Sequence, residues 1–188
     1  MNDKRPVNKS KFLSLVLRHR PWLIDIELDP QGWVSVEDLL KGCEQQGITI
    51  NEEELSEIVA TNEKKRFSLS EDKKKIRANY GHSLPLKLDL VPKQPPDILY
   101  HGTTRQNMET IRQQGLKRMQ RTHVHLSQDY NSAINVGGRH GKPIVLEILA
   151  GKMYSDGFVF YLTESGVWLV DNVPPQYLSC SSDLEKFP

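Results

Sequence analysis

Apolar residues recur at helical spacing early in this chain and in short extended runs later. Phe12, Leu13, Val16 and Leu17 share one stripe of a short amphipathic helix. That helix must end near Arg20, because Pro21 pushes its predecessor out of the α region. Ser35 stands as an N-cap with Asp38 three places on, ahead of Leu39, Leu40 and Cys43, and Gly47 stops the segment. Asn51 and Glu54 repeat the capping pattern before the stripe Leu55, Ile58 and Val59. The alternation in residues 66–70, the charged turn 71–74 and residues 75–80 predict a β-hairpin with a polar character. Helices followed by a hairpin suggest a winged-helix-like lobe.

Residues 81–97 have the composition of a linker. Pro85, Pro92, Pro95 and Pro96 interrupt any long helix or central strand. The expected lobes are therefore residues 1–92 and 93–188, in an α+β chain. In the second lobe, 98–102 reads as a strand running into a tight turn at Gly102. Residues 106–114 read as a helix stopped by Gly115, 123–127 as a strand, and 129–137 as a helix ended by glycine. The most apolar run, 143–149, is a strand, and 158–162 and 166–170 are two more.

Composition narrows the classes of function. With 188 residues the chain can bury a proper core without disulfides. Its 25 Lys+Arg balance 24 Asp+Glu to a net charge of +1, which excludes a polybasic protein holding nucleic acid by bulk charge. No apolar stretch approaches the roughly 18 residues of a membrane helix, and the basic N-terminus lacks the apolar centre of a signal peptide. Cys43 and Cys180 fall in no metal-type spacing, so free thiols in a reducing cytoplasm are expected. No Walker loop and no GxGxxG pattern occurs.

The charge that is present is patterned. Arg18, His19 and Arg20 crowd a helix C-terminus, where they either complement the helix dipole or form an anion site with a proton-handling histidine. Lys64, Lys65 and Arg66 lead into the hairpin, and Lys73, Lys74, Lys75 and Arg77 follow its turn, while Glu52, Glu53, Glu54 and Glu57 offset them. Such a hairpin is either a solvated face or a phosphate-backbone contact. His101, Gly102 and Thr103 end a strand, where glycine admits a close backbone or ligand. His123 and His125 would share one strand face near Arg121, but no Cys or carboxylate stands nearby to complete a metal shell. Arg139 sits among Gly137, Gly138 and Gly141, in either a flexible turn or a loop offering amide and guanidinium donors to an anion. Paired carboxylates are missing from these contexts, so a hydrolase with a carboxylate acid and base is poorly supported.

These motifs, in this order, resemble the NAD-dependent RNA 2′-phosphotransferases. The likeness runs from SKFLSLVLRHRP and DPQGWVSVEDLL through KKRFSL and IRANYGHS to LYHGT, RTHVHLS, GGRHGKPIVLEI and GVWLVDNVPP. The resemblance implies an N-terminal winged-helix-like lobe for RNA and a C-terminal ADP-ribosyltransferase-like mixed α/β lobe for NAD. It implies RNA with an internal 2′-monophosphate as substrate, such as ligated or spliced tRNA, and NAD as a consumed co-substrate, with no metal. By motif, the family's catalytic Arg-His-Arg-Arg set falls on Arg18, His19, Arg66 and Arg121. The NAD side falls on His101, Gly102, Thr103, His125, Leu126, Ser127 and Arg139. A cytoplasmic monomer without membrane attachment is expected. Two other readings use the same residues: an ADP-ribosyltransferase that modifies a nucleic-acid phosphate and stops there, and a winged-helix nucleic-acid-binding module without catalysis.

Overall fold

A computed structural model describes residues 8–180. The chain forms two compact units, one reaching to Asp89 and the other starting at Leu90. Both mix helices with small antiparallel sheets.

In the first unit, helix α1 covers Lys9–Arg18 and is capped by the Asn8 side chain, which accepts from the Lys11 N–H. Leu13, Val16 and Leu17 turn inward and are fully buried. The helix stops two residues before Arg20. Pro21 opens a 3-10 turn, Pro21–Ile24, and the exit occupies His19 and Arg20, whose N–H groups both reach the Leu15 carbonyl. Strand β1, Trp33–Ser35, leads directly into α2, Val36–Gln45. Next come α3, Glu52–Ala60, and the hairpin strands β2, Phe67–Leu69, and β3, Lys75–Ala78. The sheet order is β1-β3-β2, with Val34 and Leu69 both opposite Ile76.

The capping pairs act as the sequence suggests. Ser35 Oγ accepts from the Asp38 N–H at 3.3 Å and Asn51 Oδ1 from the Glu54 N–H at 2.8 Å. Loss of the Ser35 cap in Ser35→Ala is expected to cost about 1 kcal/mol in urea unfolding. The hairpin turn is held by Asp72, which accepts from the Ser70 hydroxyl at 2.6 Å and the Lys74 N–H at 3.0 Å. Glu54 pairs with Lys9 of α1 at 2.6 Å, so at least one of the offsetting carboxylates serves helix packing. The core gathers Leu13, Leu17, Leu39, Leu55 and Ile76.

The second unit begins with β4, Leu99–Thr104, followed by α4, Met108–Gln114, β5, Leu116–Lys117, and β6, Val124–Leu126. Helix α5, Tyr130–Gly137, is capped by Asp129 and precedes β7, Pro143–Ile148. Helix α6, Ala150–Ser155, strands β8, Tyr161–Leu162, β9, Trp168–Val170, and β10, Asn172–Val173, and finally β11, Leu178–Cys180, complete the described chain. Three small sheets result, ordered β11-β7-β4, β6-β9-β8 and β10-β5. Leu99, Leu126, Leu146 and Ile148 of these sheets, with Met153 of α6 and Phe160 just before β8, form the core.

Two expectations need correction here. The run 158–162 supplies only the two residues of β8, although Phe160 is buried and its carbonyl accepts from the Lys93 N–H. Gly102 lies inside β4, opposite Val145, and marks no turn. Its role is set by the helix above it. A Cβ at Gly102 would fall 1.8 Å from the Ala133 carbonyl oxygen of α5. The close approach expected at this glycine is therefore that of another backbone, with α5 lying on β4.

Candidate functional site

Each unit carries one group of candidate residues. In the first, α1 delivers Arg18 from its last turn and His19 from its C-cap. The Arg18 guanidinium lies 4.8 Å from the centroid of the Tyr80 ring. His19 Nδ1 and Ser83 Oγ are 3.0 Å apart, and the Ser83 N–H donates to the Arg18 carbonyl at 3.0 Å. Arg66 immediately precedes β2. Its N–H donates to Asn62 Oδ1 and its carbonyl accepts from the Asn79 N–H at 2.8 Å. The Asn79 side chain reaches the Lys65 carbonyl and the Tyr80 hydroxyl reaches the Lys64 carbonyl, each at 2.8 Å. Residues 79–83 thus hold both the Arg18–His19 turn and the loop bearing Arg66, although no regular element covers 79–83.

The polar lining behind this group is buried. His82 is fully buried with neither ring nitrogen hydrogen-bonded. Burial, and then the positive charges of Arg18, His19 and Arg77, push its pKa down to about 4. Arg77 on β3 stacks on Trp33, 4.6 Å from the ring centroid. A neutral His82 therefore sits beside Arg18, His19 and Arg77. The linkage follows from this shift. Above the ordinary histidine pKa near 6.5 the ring is neutral in both folded and unfolded chains. As pH falls from there toward 4, only the unfolded chain takes the proton, so stability declines. His82→Leu is expected to blunt the stability difference between pH 7 and pH 4.5 by about 2 kcal/mol, read from paired urea curves.

The second unit gathers Arg121, His125 and His101. Arg121 is exposed, and its guanidinium NH1 donates to His125 Nδ1 at 2.8 Å. The His125 carbonyl accepts from His101 Nδ1 at 3.0 Å, which leaves His101 Nε2 as an acceptor in the neutral ring. Burial, opposed by that hydrogen bond and aided by the Arg121 charge, holds the His101 pKa below the usual histidine value. Thr103 is buried beside Asn107, which donates to its hydroxyl at 3.2 Å. Ser127 bonds Tyr100 through both its N–H and its carbonyl. The Tyr100 ring in turn meets the half-exposed Tyr130 ring edge-on.

Other candidates fall elsewhere. Leu126 is 1 % exposed and belongs to the core, on the opposite strand face from His125, so its side chain lines no open surface. Gly102 receives the α5 backbone. Arg139 is exposed in a 3-10 turn, Gly138–His140, that continues from α5. His123 packs against Tyr161 with Asp171 4.0 Å away, and among the described residues no three His, Cys, Asp or Glu side chains cluster as a metal site would require. Burial pushes the Cys43 thiol up to about 11, so it is a packed core residue. Among the described residues no helix is long and apolar enough to cross a membrane. Tyr80, His82 and Ser83 lie within the IRANYGHS motif, and nothing local in the sequence marks them as supports of the Arg18–His19 turn.

The model of the RNA 2′-phosphotransferase, Tpt1/KptA family matches residues 4–172. A probable RNA 2′-phosphotransferase of Flavobacterium johnsoniae is 48% identical over 182 residues, covering 97% of this chain and all of the relative. Similarly named proteins of Hahella chejuensis and Acaryochloris marina are each 52% identical, covering 94% and 89% of this chain and 95% and 93% of their own length.

Proposed function

The chain belongs to the RNA 2′-phosphotransferase, Tpt1/KptA family, and from that premise we propose that it transfers an internal 2′-monophosphate from RNA to NAD. The observation that carries this reading is the tethering of Arg18, His19 and Arg66 to the single segment 79–83, in a unit whose buried histidine is held neutral by burial and then by neighbouring cations. The α1-β1-α2-α3-β2-β3 order of that unit supports a winged-helix role in holding RNA. The second unit takes the ADP-ribosyltransferase-like part. Its fit to NAD rests on His101, which keeps Nε2 open as an acceptor for a ribose hydroxyl and stays neutral, with Thr103 and Ser127 on the neighbouring backbone and Arg139 available to a phosphate.

The chemistry proceeds in two displacements. An oxygen of the RNA 2′-phosphate attacks C1″ of the nicotinamide ribose, and the bond to nicotinamide breaks. That nucleophile is already an anion, so it needs positioning and no base. The ribose O2″ then attacks the same phosphorus, and the bond from phosphorus to the RNA O2′ breaks. A proton leaves O2″ and another arrives at O2′. The products are RNA with a free 2′-OH, ADP-ribose 1″,2″-cyclic phosphate and nicotinamide. Arg18, Arg66 and Arg121 suit the developing charge because guanidinium forks match phosphate oxygens. His19 delivers or relays the proton to the leaving O2′. Ligated or spliced tRNA is the substrate class, and the cytoplasm the site of action.

Nicotinamide release tests this assignment. The protein should release nicotinamide from NAD when supplied with RNA bearing an internal 2′-phosphate and not with the same RNA lacking it. Equal release with both RNAs would refute the assignment. Accumulation of ADP-ribosylated RNA would instead mark a transferase that stops after the first displacement.

A further inference from the structure

We propose that Ser83 is a positioning residue for His19, and that residues 80–83 form a bracket fixing the geometry of the Arg18–His19 turn. The inference rests on the proposed transfer reaction and adds a residue to it. Two bonds from one residue meet this turn, the one to His19 across a separation of 64 positions. Ser83 Oγ meets His19 Nδ1 at 3.0 Å, and the Ser83 N–H donates to the Arg18 carbonyl at 3.0 Å. The second bond matters because Arg18 ends α1, so its carbonyl has no amide of a continuing helix to accept.

The remaining bracket residues give Ser83 a fixed base. Tyr80 lies under the Arg18 guanidinium, while its hydroxyl holds the Lys64 carbonyl of the Arg66 loop. Gly81 takes φ +82 between Tyr80 and His82, a left-handed conformation that favours glycine. His82 is 0 % exposed and anchors the segment in the interior. Ser83 itself is exposed, at the surface end of this anchored segment. An exposed serine contributes little to stability. Its hydroxyl does settle how the imidazole presents itself. With Nδ1 engaged by Ser83, rotation of the imidazole about its Cβ–Cγ bond is fixed. The serine hydroxyl can donate to a neutral ring or accept from a protonated one, so the orientation survives the gain and loss of the proton that His19 must handle.

The test uses full-length protein and two variants, Ser83→Ala and Ser83→Thr. The first readout is 15N NMR of His19 in free protein, without RNA or NAD. Alanine should move the His19 ring nitrogen shifts and its titration midpoint, and threonine should restore both. The second readout is single-turnover removal of the 2′-phosphate. Alanine should slow it about five- to twenty-fold, the range of one lost hydrogen bond, with a displaced pH profile and unchanged KM for NAD. Threonine should recover most of the rate. Unchanged His19 shifts in the alanine variant would overturn the bracket. Altered shifts with unchanged turnover would overturn its part in the reaction, as would slowed turnover with unaltered shifts. An inactive wild-type protein would instead overturn the transfer reaction, while the NMR result would still decide whether Ser83 orients His19.

Discussion

Arg121→Ala will lower turnover of the 2′-phosphorylated RNA by roughly two to three orders of magnitude, the usual loss when one preorganised donor to a developing anion is removed. The fold will barely register the change. Arg121 is exposed between β5 and β6, and its guanidinium donates at the surface to His125 Nδ1. Losing such a bond costs on the order of 1 kcal/mol or less. Activity and stability should therefore separate cleanly, with thermal unfolding near the wild-type value. Arg121→Lys should recover only part of the rate. A lysine keeps the charge but loses the planar fork that grips two oxygens at once. An alanine variant with full turnover would remove Arg121 from the reaction.

Gly102→Ala will act in the opposite way, by destabilising the second unit. The added Cβ would fall 1.8 Å from the Ala133 carbonyl oxygen and 2.8 Å from the Gly137 nitrogen. Both are backbone atoms of α5, so no rotamer change relieves the clash; the helix must lift from β4. A loss of roughly 3 kcal/mol is expected in chemical unfolding. Gly138→Ala is the control. At that position φ is −61 and the nearest atom to an added Cβ is Pro143 Cγ, 4.0 Å away, so stability should hold or rise slightly. Equal behaviour of the two variants would show that α5 does not press on Gly102 as described.

The glycine also illustrates which features a sequence can convey. Ser35, Asn51 and Gly115 were legible as helix punctuation because each acts on groups within a few residues. The hairpin of β2 and β3 was legible from alternation around a charged turn. Strand β1 was not, since three residues show no period and its partner β3 lies some forty residues away. Helix α6 has six residues and no side-chain cap, so it leaves no local signature. Gly102 looked like a turn because the reason for it, the backbone of α5, is thirty residues distant.

The candidate residues divide in the same manner. The arginines and histidines were visible as charge in unusual places. Their supports were not, because Ser83 meets His19, and Tyr80 meets Arg18, only after the chain has folded back. Strand periodicity would have separated Leu126 from His125. They point to opposite faces of β6, one to the core and the other toward Arg121.

The near-neutral charge of the chain argues against general attraction to RNA and for selection of one phosphate by a few guanidinium groups. The most direct test is a short oligoribonucleotide carrying a radiolabelled internal 2′-phosphate, incubated with the protein with and without NAD. The label should pass, only when NAD is present, into ADP-ribose 1″,2″-cyclic phosphate, leaving RNA with a 2′-OH. Label that stays on the RNA in the presence of NAD, or leaves as inorganic phosphate without it, would contradict the account.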